Sequence, residues 1–325
     1  MLPAKTELPE PLRSLDRGNT NDAASLLTSF VPETTLTIKA LIPDWLAGEF
    51  PSETTPLPHI MDRPPIWVRT APDEVREVCE LLREAGVATS GQPNVPGAIS
   101  VPTDSNLEIT QAFQAGRFHI QDIGSQAVLT QVDPKPGEHW LDACAGAGGK
   151  SLQLAELLGN AGKVTATDIR RSALQTLRAR ARARRARPGN LVILEPRNAE
   201  LADILYDGVL VDASCSGSGT WRRRPFLRHQ TNPKVLRQNA RAQSEILTRS
   251  ASRVKPGGRM VYATCSLCRT ENDEVIKAFL ESQDDFQPEP IPNRLGLTEI
   301  AEGQFLILPE YLNGDGYYLA TLKRA

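Results

Sequence analysis

Two cysteines stand in polar, serine-containing segments that each follow an apolar run. Cys215 lies in "VLVDASCSGSG" and Cys265 in "MVYATCSLC". A thiolate can attack an electron-poor carbon, so such cysteines are candidate nucleophiles, although an isolated cysteine is more often a small buried hydrophobe. Cys265 and Cys268 also form a C-x-x-C pair, a redox or zinc motif elsewhere, but no second pair or histidine cluster completes a zinc site. The sequence favours nucleophilic chemistry without a metal.

A glycine-rich stretch, "DACAGAGGKS" at 142–151, is a candidate ligand-binding turn. A phosphate-binding P-loop needs a glycine at the position of Cys144, and the nicotinamide pattern G-x-G-x-x-G cannot be placed on Gly146, Gly148 and Gly149. Nucleoside triphosphates and nicotinamide cofactors are therefore excluded. An apolar run before the glycines and a helical pattern after them predict a strand, a turn and a helix that open onto another ligand.

Asp168, in "TATDI", follows this turn at the distance where doubly wound nucleotide folds bind a ribose hydroxyl, about 20 residues on. The expected ligand is a nucleoside without a phosphate chain. S-adenosylmethionine fits, because its sulfonium and amino-acid tail need a glycine turn and nearby carboxylates. The alternative is that Asp168 only caps the helix that follows it.

From residue 127 onward, short β-branched runs alternate with helical stretches. The predicted strands are "EHWLDAC", "KVTATDI", "LVILEP", "ILYDGVLVDAS" and "GRMVYATCS", and "KPGG" at 255–258 is expected to break the preceding helix before the last of them. Such an order predicts a doubly wound α/β fold with a parallel sheet, whose ligands lie beyond the carboxyl ends of the strands. Asp142, Asp168, Asp212 and Cys265 all fall at these ends.

Three regions are predicted along the chain. Residues 1–60 form an N-terminal extension with short helices, and residues 61–126 form a small α/β unit with the order strand, helix, strand, helix, strand. Residues 127–325 form the catalytic domain. No internal repeat is present.

Composition predicts an ordinary globular protein in the cytoplasm. The chain has 325 residues, 40% of them hydrophobic, a net charge of −2 and no apolar stretch near the length of a membrane span. The first residues lack the apolar core of a signal peptide. Five irregularly spaced cysteines indicate reduced thiols rather than a disulfide framework.

Basic residues cluster in two segments. Residues 170–187 contain eight arginines, which are typical either of a solvated helix face or of a nucleic-acid surface. Residues 213–260 contain eleven lysines or arginines against one acidic residue, Glu245. Because the second segment includes the glycine-rich, aromatic "SGSGTWRRRPFLRH", it suits a phosphodiester backbone.

A thiol nucleophile, a nucleoside cofactor and a basic loop together indicate one reaction. Methylation of carbon 5 of a pyrimidine needs a nucleophile at carbon 6, because the ring carbon is too electron-poor until a thiolate has added. The sequence predicts this chemistry on a nucleic acid.

The same segments resemble the Sun family (RsmB-like) of RNA cytosine-5 methyltransferases from about residue 64 to the end. The matching stretches are "RPPIWVRT", "GRFHIQDIGSQAV", "LDACAGAGGKS", "VLVDASCSGSGTWRRRP", "RAQSEIL", "KPGGRMVYATCS", "ENDEVI" and "LPEYLNGDGYYLATLKR". The family pattern is usually D-A-C-A-A-P-G-G-K and D-A-P-C-S-G, so Gly146, Ala147 and Ser214 depart from it. The resemblance implies a class-I S-adenosylmethionine-dependent methyltransferase fold with a smaller N-terminal α/β domain that binds RNA. It also implies a monomer acting on 16S rRNA in rRNA processing, with tRNA as the alternative substrate.

The resemblance also implies roles for individual residues. Cys265 is the expected nucleophile, Asp212 the acid at ring N3 and a cofactor contact, and Cys215 the residue that helps release the product. Lys150 is expected to orient Asp212, while Asp168 binds the ribose and Asn198 the adenine. The turn expected to wrap the methionine part comprises Cys144, Ala145, Gly146, Ala147, Gly148, Gly149 and Lys150. The residues expected to hold the RNA strand are Trp221, Arg222, Arg223 and Arg224.

Two other functions are compatible with parts of the sequence. A class-I methyltransferase acting on a nitrogen would share the glycine turn but would have no use for two loop cysteines. A non-catalytic RNA-binding protein is expected to have lost Cys265 or Asp212, and both are present. Neither alternative accounts for the cysteine pair.

Overall fold

The computed structural model describes residues 44–50, 63–92, 94–183, 189–195 and 204–325. From Gly48 to Ala325 the chain forms one compact unit. Of the preceding unit, the structure describes 44–47, which begin a short 3-10 helix, Asp44–Gly48, where the sequence predicts a short helix. The other short helices expected in 1–60 lie outside the described residues.

A four-stranded antiparallel sheet with the order β2-β3-β1-β4 is built from the segment after residue 63. Its strands are β1 (Ile66–Arg69), β2 (Ser90–Gly91), β3 (Ala98–Val101) and β4 (His119–Ile120). Helix α1 (Val75–Glu84) buries Val78 and Leu82, four residues apart on one face, in the same core as the sheet. Helix α2 (Gln111–Gln114) follows a 3-10 turn at Leu107–Ile109. The predicted strands and helices are present in the predicted order, and the two-residue strand β2 is an addition that the sequence analysis did not predict.

Helix α3 (Ile123–Val132) connects this sheet to the rest of the unit. Its N-cap, Asp122, accepts a hydrogen bond from the backbone N–H of Gly124 at 2.8 Å, and the helix is buried on nearly every side. A Cβ on Gly124 would lie 2.3 Å from the carbonyl oxygen of Asp315, which explains the glycine there. The boundary predicted between 126 and 127 falls within this helix, and the division into domains stays a prediction.

A nine-stranded mixed sheet forms the larger part of the unit, with β10 paired to β13 outside the path β11-β12-β13-β9-β8-β5-β6-β7. The parallel strands are β5 (His139–Asp142), β6 (Lys163–Thr167), β7 (Leu191–Leu194), β8 (Tyr206–Asp212) and β9 (Val254–Thr264). The antiparallel strands are β10 (Phe286–Pro288), β11 (Thr298–Ala301), β12 (Gln304–Ile307) and β13 (Tyr317–Arg324). The strand order reverses at β5, which pairs with both β6 and β8. The predicted doubly wound sheet is confirmed, and the antiparallel strands extend it.

Six further helices are described in this part of the chain. They are α4 (Gly149–Leu158), α5 (Arg171–Ala183), α6 (Leu227–Gln230), α7 (Pro233–Ala251), α8 (Asp273–Ser282) and α9 (Pro309–Leu312). The segment 255–258 was expected to separate α7 from β9 but lies inside β9, so that prediction is wrong in detail. The strand accommodates it as an irregularity, because Tyr206 pairs with Val254 whereas Gly208 pairs with Arg259.

Candidate active site at the carboxyl ends of the parallel strands

The turn at 143–148 is fixed by the strands on either side of it. Ala143 donates its backbone N–H to the carbonyl of Leu210 in β8 at 2.9 Å, and Ala145 donates to Thr167 in β6 at the same distance. The turn therefore spans the point where the strand order reverses. This is the place where open α/β sheets bind ligands.

Two glycines give the turn its shape. Gly146 and Gly148 have φ angles of 54° and 85°, in the left-handed region that favours glycine. A Cβ on Gly148 would lie 2.0 Å from the side chain of Leu177 in α5. Gly146, where the family usually has alanine, thus adopts a conformation that glycine tolerates best, and α4 begins directly after the turn.

Asp168 lies just beyond β6 and faces the same turn. Its carboxylate accepts hydrogen bonds from the backbone N–H of Gly146 at 2.9 Å and of Arg170 at 2.8 Å. Burial acts to raise the pKa of Asp168, but the hydrogen bonds from Arg170 and Gly146 outweigh burial and lower it overall. Asp168 therefore stays ionised, and the Arg170 guanidinium pairs with both of its oxygens.

A cavity of about 380 Å³ opens beside this carboxylate. Its volume falls in the range of small-molecule sites, roughly 300–1,000 Å³. The lining residues are Ala143, Cys144, Asp168, Ile169, Arg170, Asp212, Ala213, Ser214, Ala242, Gln243, Glu245, Ile246 and Arg249. Burial raises the pKa of Cys144, so this thiol stays protonated and is not a candidate for the nucleophile. Asn198 lies outside the described residues.

Lys150 links the turn to the end of β8. Its Nζ donates to Asp212 Oδ2 and to Ser125 Oγ, each at 2.9 Å, and lies 4.7 Å from the ring centre of Tyr317. Lys150 is only 4% exposed, whereas the Asp212 side chain is 30% exposed and lines the cavity. A lysine held on three sides positions this carboxylate while leaving part of it open to a ligand.

Cys215 and Cys265 meet at the ends of β8 and β9. Their sulfur atoms are 3.4 Å apart, although the residues are 50 positions apart in the chain. Both are free thiols and partly exposed. The pKa of Cys215 is raised by its hydrogen bond to Cys265, by burial and by the charge of Glu271. Cys215 is therefore held as a thiol that can donate to Cys265.

The C-x-x-C interpretation does not describe this pair. Cys268 is fully buried, and its sulfur lies 3.5 Å from Ser218 Oγ. Burial raises the pKa of Cys268 to about 12. The sulfur that approaches Cys265 belongs to Cys215 instead. Within the described residues, no group of three or more His, Cys, Asp or Glu side chains could hold a metal ion.

The departure from the family pattern at Ser214 has a local compensation. Gln243 in α7 is buried and donates its side-chain amide to the carbonyl of Ser214 at 2.9 Å. A proline at 214 would restrict the backbone covalently, whereas here a hydrogen bond from outside the loop restrains it.

Gln243 and Ser125 were not predicted as site residues, although the stretches "RAQSEIL" and "GRFHIQDIGSQAV" contain them.

The predicted RNA-holding segment divides into two parts. Trp221 and Arg222 are buried, at 3% and 8% exposure, and Arg222 donates to the carbonyl of Gly314 at 3.0 Å. Their burial does not favour a contact with RNA, because both side chains pack within the protein. Arg223 pairs with Asp315 but is partly exposed, and Arg224 is exposed.

Phe226 stands beside this segment and is 56% exposed. The next residue, Leu227, packs against the loop of Cys215, since a Cβ on Gly217 would lie 3.2 Å from its Cδ1. An exposed aromatic ring next to arginines is typical of single-stranded nucleic-acid sites. Trp221, the aromatic residue predicted to hold the RNA strand, is buried instead, and the sequence of this loop does not reveal that burial.

The arginine-rich helix α5 is partly engaged with the protein itself. Arg180 donates to the carbonyl of Ala147 in the glycine turn at 2.9 Å, and Arg178 donates to Ile193 in β7 at 3.4 Å. The solvated-face interpretation is thus incomplete, because some of these arginines support the ligand-binding turn.

No helix among the described residues is long and apolar enough to span a membrane.

A family model described as 16S rRNA methyltransferase RsmB/F matches residues 129–323. The chain belongs to this family. The match covers the large sheet, the glycine turn and both cysteine loops.

Curated RsmB/F relatives extend beyond this chain. A Bacillus subtilis protein named probable ribosomal RNA small subunit methyltransferase B is 37% identical over 226 residues, 66% of this chain and 49% of that protein. A Synechocystis protein of the same name is 31% identical, and the match covers 87% of this chain and 67% of that protein. Ribosomal RNA small subunit methyltransferase B of Salmonella newport is 30% identical, and the match covers 87% of this chain and 66% of that protein. The chain spans about half the length of the first relative.

Solved structures agree with the class-I methyltransferase fold. The crystal structure of PH0851 has a TM-score of 0.77 at 27% identity, covering 97% of this chain and 75% of that one. The crystal structure of NSun6 from Pyrococcus horikoshii with SFG has a TM-score of 0.70 at 17% identity, and the match covers 82% of this chain and 92% of that one. The predicted fold class is confirmed.

Proposed function

We propose that this RsmB/F family protein transfers a methyl group from S-adenosylmethionine to carbon 5 of cytosine in RNA. The observation that carries the proposal is the pair of thiols 3.4 Å apart beside the Lys150–Asp212 ion pair. A nitrogen methyltransferase needs no such pair. Small-subunit rRNA is the first substrate to test, since the curated relatives are named for it, and tRNA is the alternative.

The cavity suits the cofactor in both size and chemistry. Asp168 would bind the ribose hydroxyls as an ionised acceptor, and the 143–148 turn would hold the methionine part against α4. When bound, S-adenosylmethionine supplies an electrophilic methyl group. Cys144 of the turn, Asp212 at the end of β8 and Ser214, which precedes Cys215, also line the cavity.

Cys265 would start the reaction by adding as a thiolate to carbon 6 of the cytosine. Asp212, as the acid, would hydrogen-bond ring N3 by donating a proton from Oδ1, which accepts no hydrogen bond from the described residues, while Lys150 holds Oδ2. That bond stabilises the enamine, in which carbon 5 is nucleophilic enough to accept the methyl group. The target base must leave any stack to reach these groups.

Cys215 would act after methylation, when a proton must leave carbon 5 so that the bond from Cys265 to carbon 6 can break. The largest contribution to its raised pKa is the hydrogen bond to Cys265. Cys215, after losing its own thiol proton to solvent, would take the carbon-5 proton. The electron pair of that C–H bond then forms the C5–C6 double bond, and Cys265 leaves as a thiolate.

Replacing Asp168 with alanine should weaken cofactor binding. A hydrogen bond to a charged group contributes about 1.5–3 kcal/mol, so the Kd should rise by about tenfold to somewhat above a hundredfold. Calorimetry with S-adenosylmethionine measures this. Asp207→Ala is the matched control, because Asp207, like Asp168, pairs with a cation but lies near the start of β8, at the opposite edge of the parallel strands. If Asp168→Ala and wild type bind S-adenosylmethionine with equal affinity, Asp168 does not bind the ribose.

Replacing Phe226 with alanine should weaken RNA binding and leave cofactor binding unchanged. Stacking of a base on an aromatic side chain contributes about 1–3 kcal/mol. Phe226→Tyr should bind almost normally, and Leu157→Ala, an exposed apolar residue on α4, serves as the control. Fluorescence anisotropy with a labelled single-stranded RNA distinguishes the variants, and normal binding by Phe226→Ala would show that the ring contacts no base.

The function itself is tested by methylating unmodified rRNA and tRNA transcripts with the purified protein and labelled cofactor. Nucleoside mass spectrometry is expected to find 5-methylcytidine, and bisulfite sequencing locates it in the RNA. Label in another nucleoside, or in protein alone, would contradict the proposal.

A further inference from the structure

Glu271 secures the loop that carries Cys215. Its carboxylate is fully buried and accepts hydrogen bonds from the backbone N–H of Ser216 at 2.8 Å and from Ser216 Oγ at 2.5 Å. Asn239 of α7 donates a third, at 2.7 Å. Ser216 directly follows Cys215, so these bonds fix the backbone next to one of the two thiols.

Asn272 secures the loop that carries Cys265. Its Oδ1 accepts from Thr264 Oγ1 at 2.6 Å, and its Nδ2 donates to the carbonyl of Ser266 at 2.9 Å. Thr264 and Ser266 are the two neighbours of Cys265 in the chain. Asn272 is 2% exposed, so water does not replace these bonds easily.

Because Glu271 and Asn272 are consecutive residues, the two loops share one anchor. The hydroxyl of Tyr262 in β9 holds this anchor by donating to the carbonyl of Glu271 at 2.6 Å. We propose that Glu271 and Asn272 are positioning residues that together set the separation of the two reacting sulfur atoms. The inference rests on the proposed function for its consequence in catalysis, but its geometry does not depend on that function.

The chemistry of Glu271 supports a positioning role over simple packing. Its three donors are all neutral, and no cation pairs with it among the described residues. A buried carboxylate without a cation is unfavourable compared with apolar packing. The carboxylate nevertheless holds both polar groups of Ser216, because Oε1 accepts from the Ser216 N–H and from Asn239 while Oε2 accepts from the Ser216 hydroxyl.

A probe that needs no substrate tests the shared anchor. Phenylarsine oxide bridges two neighbouring thiols, so wild type should bind it tightly, while Cys215→Ala and Cys265→Ala should not. Cys268→Ala should bind like wild type. Glu271→Ala and Asn272→Ala should each bind roughly tenfold or more weakly, the effect of unpairing a buried hydrogen-bonding group. Glu271→Gln should recover most of the affinity, because an amide oxygen still accepts from Ser216.

The RNA reaction gives a second readout that a merely structural role would not produce. Glu271→Ala should accumulate a covalent protein–RNA adduct, the result expected of Cys215→Ala, whereas Asn272→Ala should form little adduct, the result expected of Cys265→Ala. Loss of stability would instead lower adduct formation and turnover together in both variants. If Glu271→Ala does not fold, Ser216→Ala removes the hydroxyl contacts to Glu271 and to Ser266 while leaving the N–H bond to Glu271, and it should show the same effect in weaker form.

The outcomes separate this inference from the proposed function. Absence of arsenical binding by wild type, or equal binding by wild type, Glu271→Ala and Asn272→Ala, would overturn the shared anchor. Equal loss of adduct and turnover in both alanine variants would do the same. Normal arsenical results in a protein that forms no 5-methylcytidine would instead reject the function and leave the anchor in place.

Discussion

Cys265→Ala is expected to abolish formation of 5-methylcytidine while cofactor affinity stays close to that of wild type. Carbon 5 accepts the methyl group only after a nucleophile has added to carbon 6, and the raised pKa of Cys215 makes that thiol a poor nucleophile. Removing a covalent nucleophile lowers kcat by more than about 10⁴-fold. Nucleoside mass spectrometry after a timed reaction measures the loss.

The matched control for this variant is Cys79→Ala. Cys79 is a free thiol on α1, packed against the core of the small sheet, and its replacement should leave the methylation rate unchanged. A near-normal rate in Cys265→Ala would transfer the nucleophilic role to Cys215, the other thiol in the pair.

Cys215→Ala is expected to methylate its substrate and then fail to release it. Cys265 can still add to carbon 6 and the methyl group can still arrive, but the carbon-5 proton loses its acceptor. The protein should therefore accumulate as a covalent adduct with RNA, visible as a slow band on a denaturing gel that nuclease removes. Turnover should fall to about a single event per enzyme.

The double variant Cys215→Ala/Cys265→Ala provides the control for trapping. It should behave like Cys265→Ala, since an adduct that never forms cannot accumulate. A trapped band in Cys265→Ala rather than in Cys215→Ala would reverse the roles of the two thiols. If neither single variant traps RNA, Cys215 is a packing residue of its loop.

Local sequence was sufficient to predict the strands and the turn that carry the site. Alternation of apolar runs and helical stretches predicted β5 to β9, and the glycines at 146 and 148 stand where the backbone requires a positive φ. The positions of Asp168 and Asp212 followed from the rule that ligands bind at the ends of parallel strands. These inferences needed only the order of residues along the chain.

Contacts between distant segments were beyond prediction from one sequence. The bond from Lys150 to Ser125 joins two helices, and those from Glu271 to Ser216 cross 55 positions. Neither residue type nor spacing distinguishes such partners from solvated polar residues. The burial of Trp221 and Arg222 has the same origin, because the carbonyl of Gly314 that binds Arg222 is 92 positions away.

Mass spectrometry of the trapped adduct tests whether Cys265 is the nucleophile. Cys215→Ala is incubated with cofactor and RNA, and the adduct is digested with nuclease and protease. A nucleophilic role of Cys265 predicts a methylated cytidine nucleotide on the peptide that contains this residue. A nucleotide attached to any peptide without Cys265 would contradict it.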